Sequence, residues 1–205
     1  MNGTDNLYSE SKIRIFLDHC TALVLTNFMW LICCIPVVTA GAATRAMFAN
    51  LNDHLDGGVC TAVSFLRHMK QDFFRACLMG IFLTAMGVLL FMGATLAAAA
   101  GSMVMLGVVG SVGLMTALFG SMVFPLMARI KLGTRDLILN AVTLSVGCLP
   151  QMLPVVALNL LPVVLILFFT GFFAKISVFW ALIGFALLAL TDLHFLRGIF
   201  DRVLD

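Results

Sequence analysis

The side chains with most chemical potential in this 205-residue chain are four histidines, six cysteines and ten acidic residues. His19, His54, His68 and His194 are scattered, with no HExxH pairing for metal-assisted hydrolysis. Cys20, Cys33, Cys34, Cys60, Cys77 and Cys148 form no CxxC pair, and no histidine lies at zinc spacing from them. Most of these cysteines sit in apolar stretches, where the thiol behaves as a small hydrophobe. There is no GxSxG nucleophile elbow, and Gly133-Thr134 lacks the Lys-Ser/Thr pair of a phosphate-binding loop. Glu10 is the sole glutamate. The acid–imidazole neighbours are Asp18-His19 and Asp192-x-His194. An ionisable group within a membrane points to a proton or cation relay. Both pairs fall near the ends of apolar stretches, where a charge reaches water, so they read as interfacial anchors. The expectation is a protein that is not an enzyme and has no metal and no cofactor.

Composition sets the elements that hold these residues. The chain is 62% hydrophobic and 11% charged, with a net charge of +2. Soluble domains are about 45–50% apolar and about 25% charged. A chain of this size cannot hide the excess apolar surface from water, so the expected fold is all-α, a polytopic membrane helix bundle in a single domain over 1–205. No basic patch points to nucleic acid. No Asp, Glu, Lys or Arg occurs from Ala76 to Ala128, from Leu137 to Ala174, or from Ile176 to Thr191. With Ile15 to Val38, these stretches predict five transmembrane helices, at about 15–38, 76–99, 103–127, 151–173 and 176–196. Tight turns are expected at Gly101-Ser102 and around Phe173–Lys175. Thr39–Ala42 offers a small-residue cleavage site, but the apolar region before it is too long for a signal peptide, and a retained span is preferred.

Basic residues orient the bundle. Nine of the twelve, from Arg45 to Arg75, from Arg129 to Arg135, and Arg197 with Arg202, fall on one expected side. Lys12, Arg14 and Lys175 fall on the other. The positive-inside rule then places the N-terminus outside and the C-terminus in the cytoplasm.

Both cytoplasmic loops carry amphipathic helices. In the first, Thr39 is placed to cap a helix bearing Ala43, Met47, Phe48, Leu51 and Leu55, which stops at Asp56-Gly57-Gly58. A second helix starts near Thr61 and runs on into the second span. At 39 residues it would be roughly 58 Å long, so it must project from the membrane or bend at its surface. The second loop places Leu137, Ile138, Ala141, Leu144 and Ser145 on a short helix ending before Pro150. Such helices lie in the headgroup layer or dock a partner.

Asn27–Ala46 reads NFMWLICCIPVVTAGAATRA. This resembles the signature of the YesL family, small bacterial integral membrane proteins carrying a domain of unknown function. The matching positions are Asn27, Trp30-Leu31, Pro36-Val37, Thr39 and Gly41-Ala42-Ala43-Thr44. Phe65, Phe73 and Arg75-Ala76 are similar to the family's segment before the second span. Pro125-Leu126 with Arg129, Asn140-Ala141, Leu149-Pro150 and Phe200-Asp201-Arg202 extend the likeness along the chain. Arg45, where a small or polar residue is expected, and Asp72, where Asn is more usual, depart from the pattern. The resemblance implies no enzymatic activity. It implies, by association with neighbouring genes, an accessory or regulatory role beside ATP-binding-cassette carbohydrate transporters.

Within the spans, Asn27 is central and needs a partner on another helix. Trp30 reads as a packing residue. Gly113, Ala117 and Ser121, and Gly80, Gly87 and Gly93, read as close-packing stripes. The candidate contacts for a partner or anionic lipid are Arg45, Arg67, Lys70, Arg75, Arg129 and Arg135. The alternative function is a small homo-oligomeric transporter or channel, with Thr26, Asn27, Asn159 and Thr170 as its polar lining.

Overall fold

The structure is a computed structural model. It describes the backbone of residues 3–204, and the side chains of 16–200 apart from 167, 168, 170, 172 and 173. Lys12, Arg14, Asp201 and Arg202 lie outside the described side chains. The described residues are predominantly helical and include no strand. Its elements are α1 (Gly3–Cys34), a short turn of 3-10 helix (Val37–Thr39), α2 (Ala40–Leu55), α3 (Ala62–Lys70), α4 (Phe73–Ala99), α5 (Met103–Arg129), α6 (Thr134–Gly147), α7 (Leu149–Phe168), α8 (Thr170–Phe179), a π-helical segment (Trp180–Gly184) and α9 (Phe185–Leu204).

Five stretches are long and apolar enough to cross a membrane: Phe16–Cys34, Phe73–Ala99, Met103–Arg129, Leu149–Ile166 and Ala174–Phe200. In α4 and α5 only 11% and 6% of the most apolar window is buried inside the protein. Phe82, Leu89, Phe91, Val104 and Val108 are exposed there. Faces of this kind need an apolar solvent, which a bilayer supplies. The protein is a multi-pass helical bundle of the membrane type.

Local chemistry explains the joints. Gly101 takes a left-handed conformation, φ +64°, to close the α4–α5 hairpin. Ser102 then caps α5, its hydroxyl accepting from the Met105 amide at 3.3 Å. Thr61 and Ser64 form a reciprocal capping box at the start of α3, with both bonds at 3.0 Å. The expected continuous helix from Thr61 into the second span is broken. Gln71 is extended and Asp72 is left-handed, φ +53°, so α3 and α4 meet at an angle. Aspartate tolerates that conformation better than most residues. The turn expected at Phe173–Lys175 falls instead at Phe169, and Lys175 lies within α8.

The largest departure concerns α2. Expected as an amphipathic surface helix, it is buried among α1, α3, α4, α5 and α9. Ala42, Ala43, Ala46, Ala49 and Leu51 are all buried, and so are Arg45, Asn50 and Asn52. Small side chains let neighbouring helices close around it. At Gly41 a Cβ would lie 2.9 Å from the Gly80 Cα, and one at Gly80 would lie 2.7 Å from the Gly41 Cα. Of the expected stripe residues, Gly80 makes a close approach, at this crossing with Gly41. Gly87 and Gly113 have open space instead. The amphipathic reading holds for α3, which buries Phe65, and for α6, which buries Leu137, Ala141 and Ser145.

A second departure follows from the first. α1 and α2 pack antiparallel, pairing Trp30 with Thr44, Thr26 with Asn50 and His19 with His54. The start of the first apolar stretch therefore returns to the end of α2. There Arg197 of α9 reaches Asp56 at 2.7 Å. Asn27 meets Ala181 and Ala186, farther back along the last span. α1 thus runs antiparallel to α9, and Asp18-His19 lies at the end of the bundle where α9 finishes. The expectation had put that pair at the opposite end.

Candidate functional site

The signature residues form a joint between α1, α2, α4 and the last span. The Asn27 amide is fully buried against the π-helical segment. Its Nδ2 donates to the carbonyls of Ala181 at 2.7 Å and Trp180 at 3.1 Å, and its Oδ1 accepts from the Ala186 amide at 2.9 Å. A π turn displaces the regular hydrogen-bond ladder. The amide serves both the donor and the acceptors left there. Trp30 donates from Nε1 to the Thr44 hydroxyl at 3.1 Å, and its ring lies 4.7 Å from that of Phe185. Thr44 passes the bond on to the Ala40 carbonyl at 2.8 Å. Pro36 precedes the 3-10 turn. Thr39 does not cap α2, as its spacing implied. Its hydroxyl lies 2.6 Å from the Cys33 carbonyl and 2.8 Å from that of Pro36, tying off the end of α1. Gly41 provides the crossing with α4.

The basic candidates separate into three groups. Arg45 and Arg75 come together with Lys131, Gln71 and Asp72 around a cleft of about 550 Å³. Arg45 is 3% exposed. Its guanidinium donates to the His68 carbonyl at 2.7 Å and faces Asp72 at 3.8 Å. Arg75 faces the same carboxylate at 3.7 Å. The Nε groups of both arginines are buried and have no hydrogen-bond partner. Burial draws the Arg45 pKa down, nearby Asp72 opposes this, and Arg75 adds to it. Two arginines thus face one carboxylate, Lys131 lines the same cleft, and donors remain unfilled. Arg45 and Asp72, the two departures from the YesL-like pattern, are paired with each other.

Arg67, Lys70 and Arg135 are exposed and do not line this cleft. Arg129 belongs elsewhere, donating to the Asn52 side chain at 3.4 Å with its guanidinium 5.9 Å from the Phe200 ring. Lys131 was not among the candidates. It sits two residues beyond Arg129, but nothing in the spacing says that it meets Arg45 across the fold.

The acid–imidazole neighbours part company. His19 and His54 bring their rings to 4.7 Å beside Asp18 and Cys60, around a pocket of about 370 Å³. Among the described residues no group of three metal-ligating side chains forms. Asp192 does not anchor at an interface. It is fully buried and bonds Asn159 of α7, while His194 is exposed on another face of the helix.

Residues 23–94 match the family described as Protein of unknown function, DUF624. No curated protein and no solved structure matches the chain. The matched segment runs from the second half of α1 into α4. It contains every signature residue from Asn27 to Thr44, together with Arg45, Asp72 and Arg75.

Proposed function

We propose that the protein is a non-catalytic accessory or regulatory component of a bacterial cell membrane, and that its basic cleft holds an acidic group of a partner subunit. The observation that carries this reading is the buried Arg45 with its unfilled Nε, set with Arg75 and Lys131 around a single carboxylate. A guanidinium offers donors in a planar fork that suits a carboxylate. α3 and α6, with Arg67, Lys70 and Arg135, extend the positive face beside it. The likeness to YesL proteins supports a subunit of an ATP-binding-cassette carbohydrate transporter as the partner.

This end of the bundle is the cytoplasmic one. The antiparallel pairing of α1 with α9 supports an amino-terminal helix entering from the same side, an alternative to the outside location that charge counting along the sequence favours. α1 and α2 form a hairpin that returns to its own side, because Gly41 already packs on Gly80, two turns into α4. Lys12 and Arg14 then join the other cytoplasmic basic residues, leaving Lys175 alone opposite.

The test is affinity purification of the full chain from a mild detergent. A stoichiometric transporter subunit is expected, and it is lost when Arg75→Glu and Lys131→Glu are combined. Recovery of phospholipid alone, or of no stoichiometric partner, refutes the reading. A second reading, a small homo-oligomeric transporter, draws on a groove of about 400 Å³ lined by Thr44, Thr116, Ser121 and Asn159. Solute flux into liposomes holding only this protein would favour it.

A further inference from the structure

Asp192 lies within the last apolar span and is 0% exposed. Its Oδ2 accepts from Asn159 Nδ2 at 2.7 Å, and the same amide nitrogen donates to the Val155 carbonyl at 3.0 Å. Its Oδ1 is buried and has no hydrogen-bond partner. One neutral donor does not compensate a buried carboxylate, which needs a counter-charge or a proton.

Among the described residues, the cationic side chains of the elements around Asp192 are engaged elsewhere or exposed. On α2, Arg45 turns to His68 and Asp72, and the His54 ring packs on His19 of α1. α7 carries no charged residue between Leu149 and Phe168. On α9, Arg197 bonds Asn52 and Asp56, and His194 is exposed. Lys175 of α8 is exposed as well.

Space is present at the carboxylate. A cavity of about 130 Å³ is lined by Trp30, Thr44, Phe48, Asn159, Phe185 and Asp192. A water molecule's share of liquid volume is about 30 Å³, so an ion with part of its hydration shell fits. The larger groove between α4, α5 and α7 shares Thr44, Phe48 and Asn159 with this cavity. Asn159 therefore stands where the groove meets the acid.

We propose that Asp192 and Asn159 form a buried site for one monovalent cation, either a proton or an alkali metal ion, reached from the groove past Asn159. Asp192 supplies the charge and Asn159 holds its Oδ2 in place. The site is independent of the partner-binding cleft.

The test is thermal unfolding of the purified full chain in detergent, comparing the wild type with Asp192→Asn. One arm varies pH from about 5 to about 9 in a choline salt. The other adds sodium or potassium chloride at fixed pH and ionic strength. If the occupant is a proton, the wild type loses stability as pH rises, because only the folded state holds that proton strongly. If it is an alkali ion, the melting temperature climbs by roughly 3–5 °C per tenfold rise in that ion above its dissociation constant. In either case Asp192→Asn removes the response. Parallel behaviour of the two proteins in both arms overturns the proposal. Should Asp192→Asn not fold, an apolar carbodiimide, which reacts with protonated carboxyls, decides on the wild type by peptide mass spectrometry. Modification of Asp192 that alkali ion or raised pH suppresses supports the site. No modification, or modification indifferent to both, overturns it.

Discussion

Replacing Asn27 with leucine removes an amide and keeps the same branched side-chain skeleton of four heavy atoms. Three backbone groups then lose their partner: the carbonyls of Trp180 and Ala181, and the amide of Ala186. In a soluble core each orphaned group costs about 1–3 kcal/mol. Hydrogen bonds between helices in membrane bundles measure about 0.6 kcal/mol on average and about 1.7 at most. Three such losses therefore cost about 2–5 kcal/mol. Asn27→Asp costs at least as much, because it keeps an acceptor for Ala186 but turns a carboxylate oxygen toward the two carbonyls. Thr26→Val is the milder comparison, since it removes the bond from Asn50 at 2.9 Å and a side-chain bond with Cys60 and costs about 1–2 kcal/mol. The assay is denaturant titration in mixed micelles followed by tryptophan fluorescence. Both tryptophans of the chain report on this joint, with the rings of Trp30 and Trp180 lying 4.7 Å and 5.3 Å from that of Phe185. If Asn27→Leu unfolds within about 0.5 kcal/mol of the wild type, the π segment satisfies itself and the amide is not its latch.

Gly41→Leu forces α2 and α4 apart and is expected to abolish folding or cost more than about 3 kcal/mol, whereas Gly113→Ala, which has open space, stays within about 0.5 kcal/mol in the same titration. For Arg45 and Asp72, a double-mutant cycle with Arg45→Met and Asp72→Asn is expected to give a coupling of about 1 kcal/mol. The Asp72 side chain is 36% exposed, so water screens the pair well below the value of a fully buried one; a coupling near zero would show that the buried guanidinium relies on the His68 carbonyl alone. Burial pushes the Cys60 thiol pKa up, and its Sγ donates to the Asn50 carbonyl at 3.2 Å. Its alkylation, followed by peptide mass spectrometry, should be slower than that of an exposed thiol and should accelerate only at more alkaline pH. The raised pKa disfavours the thiolate in the folded state, so the stability it contributes is present at low pH and declines as pH climbs above the ordinary thiol range. Finally, a reporter fused ahead of Met1 and one fused after Asp205 should both signal from the cytoplasm, and opposite signals would refute the returning α1–α2 hairpin.

The spans were legible because exclusion of charge is a one-dimensional property, visible along the chain without any neighbour. α2 was not legible in that way. Its apolar residues Met47, Phe48 and Leu51 were apparent at helical spacing, but Ala42, Ala43, Ala46 and Ala49 carry little hydropathy and let the opposite face pass for a polar one. The polar residues Arg45, Asn50 and Asn52 of this helix are all buried as well. Asn50 is held by Thr26 and Ser64, partners that no local pattern connects to it. Asp192 failed for a related reason. The last helix was expected to stop near residue 196, which put the acid by the surface; the helix continues to Leu204, and the acid's partner lies 33 residues earlier. Burial of a polar residue is a property of the pair, and a single sequence shows only one member at a time.

Arg45 and Asp72 show how far that limit can be pushed back. Each departed from the signature on its own, and neither departure had an evident cause in its local sequence. Together they make one change: a guanidinium is buried at α2, and a carboxylate appears at the strained junction before α4 to face it. An uncompensated arginine at position 45 would be a buried unpaired charge, which costs far more than a surface substitution. The carboxylate that offsets it leaves Arg75 and Lys131 in excess around the cleft. If the pair arose together, relatives with a neutral residue at position 45 should carry Asn at 72 and bind acidic groups there more weakly. Transplanting both residues into such a relative should then confer the binding, and transplanting Arg45 alone should only destabilise it.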